Sequence, residues 1–245
     1  MSDTPAAADR PEQKVAIVVG GGAGIGGACV REFAANGYRV VAMSPSGRAR
    51  ELAESLGGAG VDGSNTAPEA LQAVVDLAVS RFGRIDAVVN SSGHAARGPI
   101  LEITDDEWLA GMELYLLNVV RMARLVTPHL IAAGGGAIVN VSTAGALEPS
   151  PSFPVSATLR AALASFTKLF ATEYGPHGVR MNNVLPGLTK DDPSAVPADW
   201  TKGIPLRRAQ STAELARVIR FLASEESAYI TGQNLRVDGG ETRAV

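Results

Sequence analysis

A doubly wound parallel α/β sheet with helices on both faces, built as one domain, is the fold class this sequence predicts. Three observations predict it. Short β-branched apolar runs recur along the chain, segments of helical periodicity separate them, and the first run, Val15–Val19, passes through a glycine-rich stretch straight into a helical pattern. Strands alternating with helices of this kind form βαβ units, whose parallel sheet must be covered on both sides. A chain of 245 residues suits one large α/β domain, and no linker or internal repeat divides it.

Taken in order, residues 1–13 read as a disordered polar lead and residues 14–245 as the domain. The first strand, Val15–Val19, is followed by Gly20, Gly21, Gly22, Ala23, Gly24, Ile25 and Gly26 and then by a helix. Further strands are expected at Arg39–Ala42, Ala87–Val89 and Ala137–Val141, with helices over Pro68–Arg81 and Asp105–Ala133. The segment Leu188–Pro205, rich in Asp, Pro and Thr, breaks the pattern and is expected to be a mobile loop over a ligand site.

Composition excludes several functions. With 22 Lys and Arg against 25 Asp and Glu the formal charge is −3, so no basic face for nucleic acid or for an anionic membrane is expected. No run approaches the roughly 18 apolar residues that span a bilayer. The opening MSDTPAAADR has no apolar core, so a soluble cytoplasmic protein is expected. Cys29 is the single cysteine, and His94, His129 and His177 lack a ligand spacing, so neither a disulfide nor a metal is expected.

The glycine loop carries the first functional signal. A phosphate needs donors at close range, and a backbone without Cβ atoms at a helix N-terminus supplies amide N–H groups and the positive end of the helix dipole. Gly20, Gly24 and Gly26 stand at that turn; the bland alternative is a tight strand-to-helix turn with no ligand. About twenty residues on, where an NAD-binding chain places a carboxylate on the ribose 2′-hydroxyl, this chain has Ser44, followed by Arg48. A hydroxyl and a guanidinium favour NADP(H) over NAD(H), although Arg48 is also compatible with a solvated helix start.

With these residues the sequence resembles the short-chain dehydrogenase/reductase family over nearly its whole length, from Lys14 to about Gly240. Residues Gly20 to Gly26 are similar to the family's Gly-x-x-x-Gly-x-Gly loop, which makes Ile25 a cofactor contact as well. Asp62 and Gly63 resemble the turn whose Asp meets the adenine, and Asn90-Ser91-Ser92-Gly93 the Asn-Asn-Ala-Gly motif. Pro186 and Gly187 match the pair that flanks the nicotinamide; Tyr229–Gln233 and Val237–Gly240 match the C-terminal signature. The resemblance implies a Rossmann-like sheet of about seven strands, a nicotinamide dinucleotide, and a dimer or tetramer.

The same resemblance exposes a gap. The family uses a Tyr to exchange the substrate oxygen's proton and a Lys one helical turn later to lower its pKa. The ungapped register places Val155 and Leu159 there. The family's Asn in the preceding helix falls at Tyr115. Asn118 is not a substitute if that helix keeps its register, since it lies about 300° round. Ser142 alone matches, and is read as a hydrogen-bonding group for substrate or as a hydroxyl satisfying the strand end. Val155, Leu159, Leu163, Phe166 and Phe170 form a continuous apolar stripe. Tyr115 is the first candidate for a relocated proton donor, His94 the second, and Glu148 and Ser156 are weaker.

Three functions are compatible with this pattern. The first is an NAD(P)(H)-binding oxidoreductase acting on a small molecule that needs little acid assistance. The second is a catalytically silent subunit that pairs with an active paralogue or senses nucleotide. The third is a non-redox use of the pocket, as in a cyclase or lyase.

Overall fold

The structure, a computed structural model, describes residues 13–243; residues 1–12 of the expected lead lie outside them. Its strands, in chain order, are β1 (Val15–Val19), β2 (Arg39–Ser44), β3 (Ala59–Asp62), β4 (Ala87–Asn90), β5 (Gly136–Val141), β6 (Val179–Pro186), β7 (Thr189–Lys190), β8 (Gln210–Ser211) and β9 (Asn234–Val237). Seven of them form one parallel sheet in the order β3-β2-β1-β4-β5-β6-β9, and β7 pairs with β8. The winding reverses between β1 and β4, and in open sheets of this kind a crevice lies outside the carboxyl ends of the strands at that point.

The helices are α1 (Gly24–Ala35), α2 (Arg48–Ser55), α3 (Pro68–Phe82), α4 (Asp105–Met112), α5 (Asn118–Ala132), α6 (Pro154–Tyr174) and α7 (Thr212–Ala223). Because side chains alternate along a strand, each strand feeds two cores. Val15, Ile17, Val19, Val41 and Met43 pack with residues of α3, α5 and α6. Ala16, Val18, Val40 and Ala42 pack with residues of α1, α2 and α7 on the opposite face. Each fully buried Val, Leu, Ile or Met contributes about 1.5–3 kcal/mol, so a sheet covered on both sides needs the continuous apolar runs seen here.

The expected helix over Asp105–Ala133 is not one α-helix. It begins as α4, capped by Thr104 and Glu107 in a reciprocal capping box, passes through a π-helical segment at Glu113–Leu117, and resumes as α5. Arg121 reaches back to both carboxylate oxygens of Glu113 across this segment, and its guanidinium holds the Glu113 carboxyl below its ordinary pKa. The assumption that the helix keeps its register between Tyr115 and Asn118 is therefore wrong.

The segment Leu188–Pro205 is more regular than expected. It carries β7 and two short 3₁₀ turns, Pro193–Ala195 and Ala198–Thr201, and Gln210 N–H bonds the Leu188 carbonyl at 3.1 Å. Among the described residues no helix is long and apolar enough to cross a membrane.

Across the sheet, Asn90, Asn140, Asn183 and Asn234 stand opposite one another on β4, β5, β6 and β9. Asn90 Nδ2 donates to Asn140 Oδ1 at 2.9 Å, Asn140 Nδ2 to Asn183 Oδ1 at 2.9 Å, and Asn183 Nδ2 to Asn234 Oδ1 at 2.8 Å. Thr167 of α6 adds a hydroxyl bond of 2.9 Å to Asn183 Oδ1.

Candidate functional site

The glycine loop between β1 and α1 has two kinds of glycine. A Cβ at Gly20 would lie 2.4 Å from the Ser91 carbonyl oxygen, and one at Gly26 only 2.0 Å from that of Gly20, so both positions exclude side chains. Gly24, at φ +53°, faces open space. Ala23 gives α1 no side-chain cap and its first turn holds no acidic residue, which leaves the N-terminal N–H groups open to an anion. This cradle fits a dinucleotide's phosphates. Ile25, beside it, packs partly into the core under α1.

Ser44 and Arg48 both border the loop: a Cβ on Gly22 would lie 2.8 Å from Ser44 Oγ and 3.4 Å from Arg48 Cβ. Ser44 also accepts a bond of 3.2 Å from the Ala49 N–H, so part of its hydroxyl caps α2. Arg48 is exposed at the first residue of α2. Asp62 is not free for a ligand alone, since Arg50 Nε contacts its two oxygens at 3.1 and 3.2 Å. Sequence reading missed Arg50. Gly63 is a packing requirement, its Cβ position lying 2.5 Å from Ala70 Cβ.

Across the switch point the strand ends of β4 and β5 hold a second layer. Ser142 follows β5, fixed by its N–H bond of 2.8 Å to the Val184 carbonyl; its buried Oγ has no protein partner. Asn90 Oδ1 is likewise buried and unpartnered. Pro186 ends β6 and Gly187 leads towards β7, with the Gly187 N–H on the Val237 carbonyl at 3.2 Å. Thr189 turns its hydroxyl back onto the Gly187 carbonyl at 3.1 Å and accepts from Gln210 at 2.9 Å.

Arg160, which sequence reading did not single out, lies beneath this layer and is only 6% exposed. Its Nη1 donates to the Val141 carbonyl, its Nη2 to Ser92 Oγ at 3.2 Å, and its guanidinium carbon stands 4.2 Å from the Tyr115 ring centroid. Nε has no partner. Burial lowers its pKa, Tyr115 opposes that shift, and no carboxylate contributes. The available signal was helical spacing: Arg160 falls in line with the buried Leu163, Thr167 and Phe170 on α6.

Tyr115, on the π-helical segment, is buried against Val155 and Leu159 in a small apolar cluster with Ile103 and Trp108. Its hydroxyl accepts from the Ala95 N–H at 2.7 Å and lies 3.3 Å from the Gly93 carbonyl, to which it donates. The phenol thus anchors the loop after β4. A Cβ on Gly111 would lie 2.3 Å from Val155 Cγ1, so α4 already presses against α6 there. Asn118 turns its Oδ1 onto the Val119 N–H at 2.6 Å. Of the weaker candidates, Ser156 lies in the first turn of α6 and is partly buried. Glu148 is exposed and accepts the Arg243 N–H at 2.8 Å. His94 is exposed, and partial burial together with Arg97, Arg160 and Lys190 lowers its pKa. That shift favours the neutral imidazole, which can accept a hydrogen bond.

A family model described as enoyl-(acyl carrier protein) reductase matches residues 20–242. The chain belongs to the short-chain dehydrogenase/reductase family. It is 35% identical to trans-4-hydroxycyclohexanecarboxylate dehydrogenase of Sinomonas cyclohexanicum, over 96% of this chain and 95% of that protein. Among solved structures it resembles L-sorbose reductase of Gluconobacter frateurii in complex with NADPH and L-sorbose, with a TM-score of 0.84 at 31% identity, covering 96% of this chain and 98% of that one. It also resembles the apo form of a short-chain oxidoreductase of Pseudomonas aeruginosa PAO1 described as containing an atypical catalytic center, with a TM-score of 0.86 at 30% identity over 95% and 98% of the two chains. The seven-stranded doubly wound fold read from the sequence is the fold these proteins share.

Proposed function

We propose that this chain is a nicotinamide-dependent oxidoreductase that binds its cofactor in the family manner and acts without the family's Tyr/Lys proton relay. One observation carries the reading. The nucleotide cradle is open, whereas Val155 and Leu159, which this reading sets at the family's Tyr and Lys positions, lie in an apolar cluster with Tyr115. The NADPH complex of the sorbose reductase supports the cofactor class, and the atypical catalytic center of the Pseudomonas protein supports a varied site within this fold.

In this reading Gly20, Gly24 and Gly26 with the α1 N-terminus hold the pyrophosphate, and Ser44 and Arg48 favour NADP(H) over NAD(H) at the 2′-position. Asn90, Gly93, Pro186 and Gly187 border the nicotinamide end. The bound cofactor supplies or accepts hydride. Ser142 Oγ, buried and unpartnered, is the group positioned to hydrogen-bond a substrate oxygen. With Tyr115 committed to the Gly93 and Ala95 backbone, general-acid assistance worth about 10² to 10⁴ in rate is missing. Reduction of an iminium or an activated C=C suits such a site better than reduction of an ordinary ketone. Assembly as a dimer or tetramer goes with this reading, and light scattering of the purified protein tests it.

Fluorescence titration with NADPH and with NADH tests the binding half. The expected result is saturable NADPH binding, with Arg48→Ala weakening NADPH by about tenfold and leaving NADH unchanged. Absence of binding by either nucleotide overturns the reading. Binding without turnover on iminium, enone and ketone panels favours a silent subunit instead, for which the closed apolar cluster is the supporting observation.

A further inference from the structure

The side of α6 that meets the sheet is polar at three places. Ser156, Arg160 and Thr167 recur at spacings of four and seven residues, which puts them on one face of the helix. Asn140, inside β5, bonds Thr167, and Val141, the last residue of β5, accepts from Arg160. The helix therefore runs back along β5 from its carboxyl end. At a rise of about 1.5 Å per residue, Ser156 lies about 6 Å beyond Arg160, past the strand end that Ser142 follows.

This end of α6 has unused donors. Phe153 gives the helix no side-chain cap, its first turn holds no acidic residue, and Pro154 has no N–H. Among the described residues the Val155 and Ser156 N–H groups and the Ser156 hydroxyl have no hydrogen-bond partner. Ser142 Oγ and Arg160 Nε are buried beside them and are also unpartnered. The Val141 carbonyl that receives Arg160 belongs to the same peptide group as the Ser142 N–H, so the charge and the Ser142 hydroxyl lie one residue apart. No carboxylate bonds Arg160 among the described residues. Glu148 accepts the Arg243 N–H, Asp238 those of Gly240 and Thr242, and Asp191 the Thr212 hydroxyl. Asp192 accepts from Ser194, and Glu241 lies against Gly187 beyond the end of β6. Burial and Tyr115 are what act on Arg160.

A buried cation without a counter-ion, an uncapped helix start and two free hydroxyls at one strand end are complementary to a negative oxygen. Resting on the oxidoreductase reading, we propose that the N-terminus of α6 is an oxyanion site, in which the Ser156 and Ser142 hydroxyls hold a substrate oxygen as it becomes negative. Arg160 is a positioning residue that charges the site from beneath, together with the Val155 and Ser156 N–H groups. The substrate class follows from the sign of the charge. An iminium would bring positive charge to a positive site, whereas an α,β-unsaturated ketone develops negative charge on its oxygen. Hydride from the reduced nicotinamide adds to the β-carbon, the C=C pair moves into the bond to the carbonyl carbon, and the C=O pair moves onto oxygen. Water then protonates the α-carbon of the enolate, which leaves the saturated ketone, the oxidised nicotinamide and hydroxide.

The test uses the full chain and 4-nitrophenol, whose coloured phenolate imitates an enolate oxygen, beside the uncharged 4-nitroanisole. The phenolate should bind about tenfold more tightly than the neutral phenol or the anisole, so bound 4-nitrophenol should ionise about one pH unit below the free compound. Arg160→Lys should keep that shift and Arg160→Met should abolish it, with thermal melting showing both variants folded. Ser156→Ala, at a partly buried position, should weaken the phenolate about threefold. No binding of the phenolate, no shift, or a shift unchanged in Arg160→Met and in Ser156→Ala overturns the proposal. With NADPH added, 2-cyclohexenone should be reduced in preference to 3,4-dihydroisoquinolinium; the opposite preference, or reduction of neither, overturns the substrate class. A shift in a protein that binds no NADPH would instead remove the oxidoreductase reading and leave the oxyanion site standing.

Discussion

The two halves of the crevice are built on opposite plans. Around the β1–α1 turn, polar capacity faces outward: an uncapped helix end, a glycine that opens on space, and an exposed Arg48. Around the β4 and β5 ends and the start of α6, polar groups face inward, with the Tyr115 hydroxyl on the backbone and Arg160 buried beneath it. The first half keeps what a phosphate needs, and the second commits Tyr115 and Arg160 to the loop after β4 while leaving Ser142 Oγ and Asn90 Oδ1 unpartnered. A binding function and a reaction can thus diverge within one fold, because each depends on its own set of atoms.

The largest expected effect would break the comparison on the nucleotide side. Gly26→Val should destabilise the chain by more than about 4 kcal/mol, because its first side-chain atom meets the Gly20 carbonyl. Gly24→Ala should cost only about 1–2 kcal/mol for its positive φ and leave a folded protein with weakened NADPH binding. Thermal unfolding followed by nucleotide titration checks both.

On the other side, Arg160→Ala should cost about 3 kcal/mol in urea unfolding, from the lost packing and the stranded Val141 carbonyl. Arg160→Met, which fills the volume without the charge, should cost less. If either variant abolished NADPH binding, the two halves would not be independent. Tyr115→Phe sharpens the contrast at smaller scale. Losing bonds to Gly93 and Ala95 should cost about 1 kcal/mol and loosen that loop, with nucleotide affinity retained. A large loss of turnover with unchanged stability would return the phenol to a chemical role.

The smallest effect lies outside both halves. The Glu214 carboxyl, which caps α7, is held down to about 2 by Arg208 and the Ser211 N–H, below its ordinary 4.5. Because the folded pKa is depressed, its contribution is full above about pH 4.5 and fades as the pH falls towards 2. The melting-temperature gap between the wild type and Glu214→Gln should therefore narrow over that interval, with NADPH binding at pH 7 unaffected.

The fold was legible because buried parallel strands must be apolar on both faces, and Val15–Val19, Arg39–Ser44 and Gly136–Val141 are nearly so. The glycine loop was legible because close backbone approaches leave no alternative residue at Gly20 and Gly26. The π-helical segment was not, since one extra residue in a helical turn leaves the apolar pattern of Glu113–Leu117 readable as an α-helix. Arg160 escaped because a charge on an amphipathic helix is ordinarily solvated, and only its alignment with Leu163 and Thr167 marked it as buried. Arg50, on α2, escaped because its partner Asp62 ends β3, a pairing that spacing along the chain does not reveal.

The row of asparagines across β4, β5, β6 and β9 has a consequence for how the sheet assembles. Apolar parallel strands attract one another almost equally well in several alignments, since Val and Ile offer similar surfaces along each edge. A slip by one position would turn the amides of Asn90, Asn140, Asn183 or Asn234 away from their partners, leaving them dry and unbonded among hydrocarbon. The four amides act as a vernier that rejects every alignment but one, and the strand ends bearing Ser142 and Pro186 come to a common level because of it.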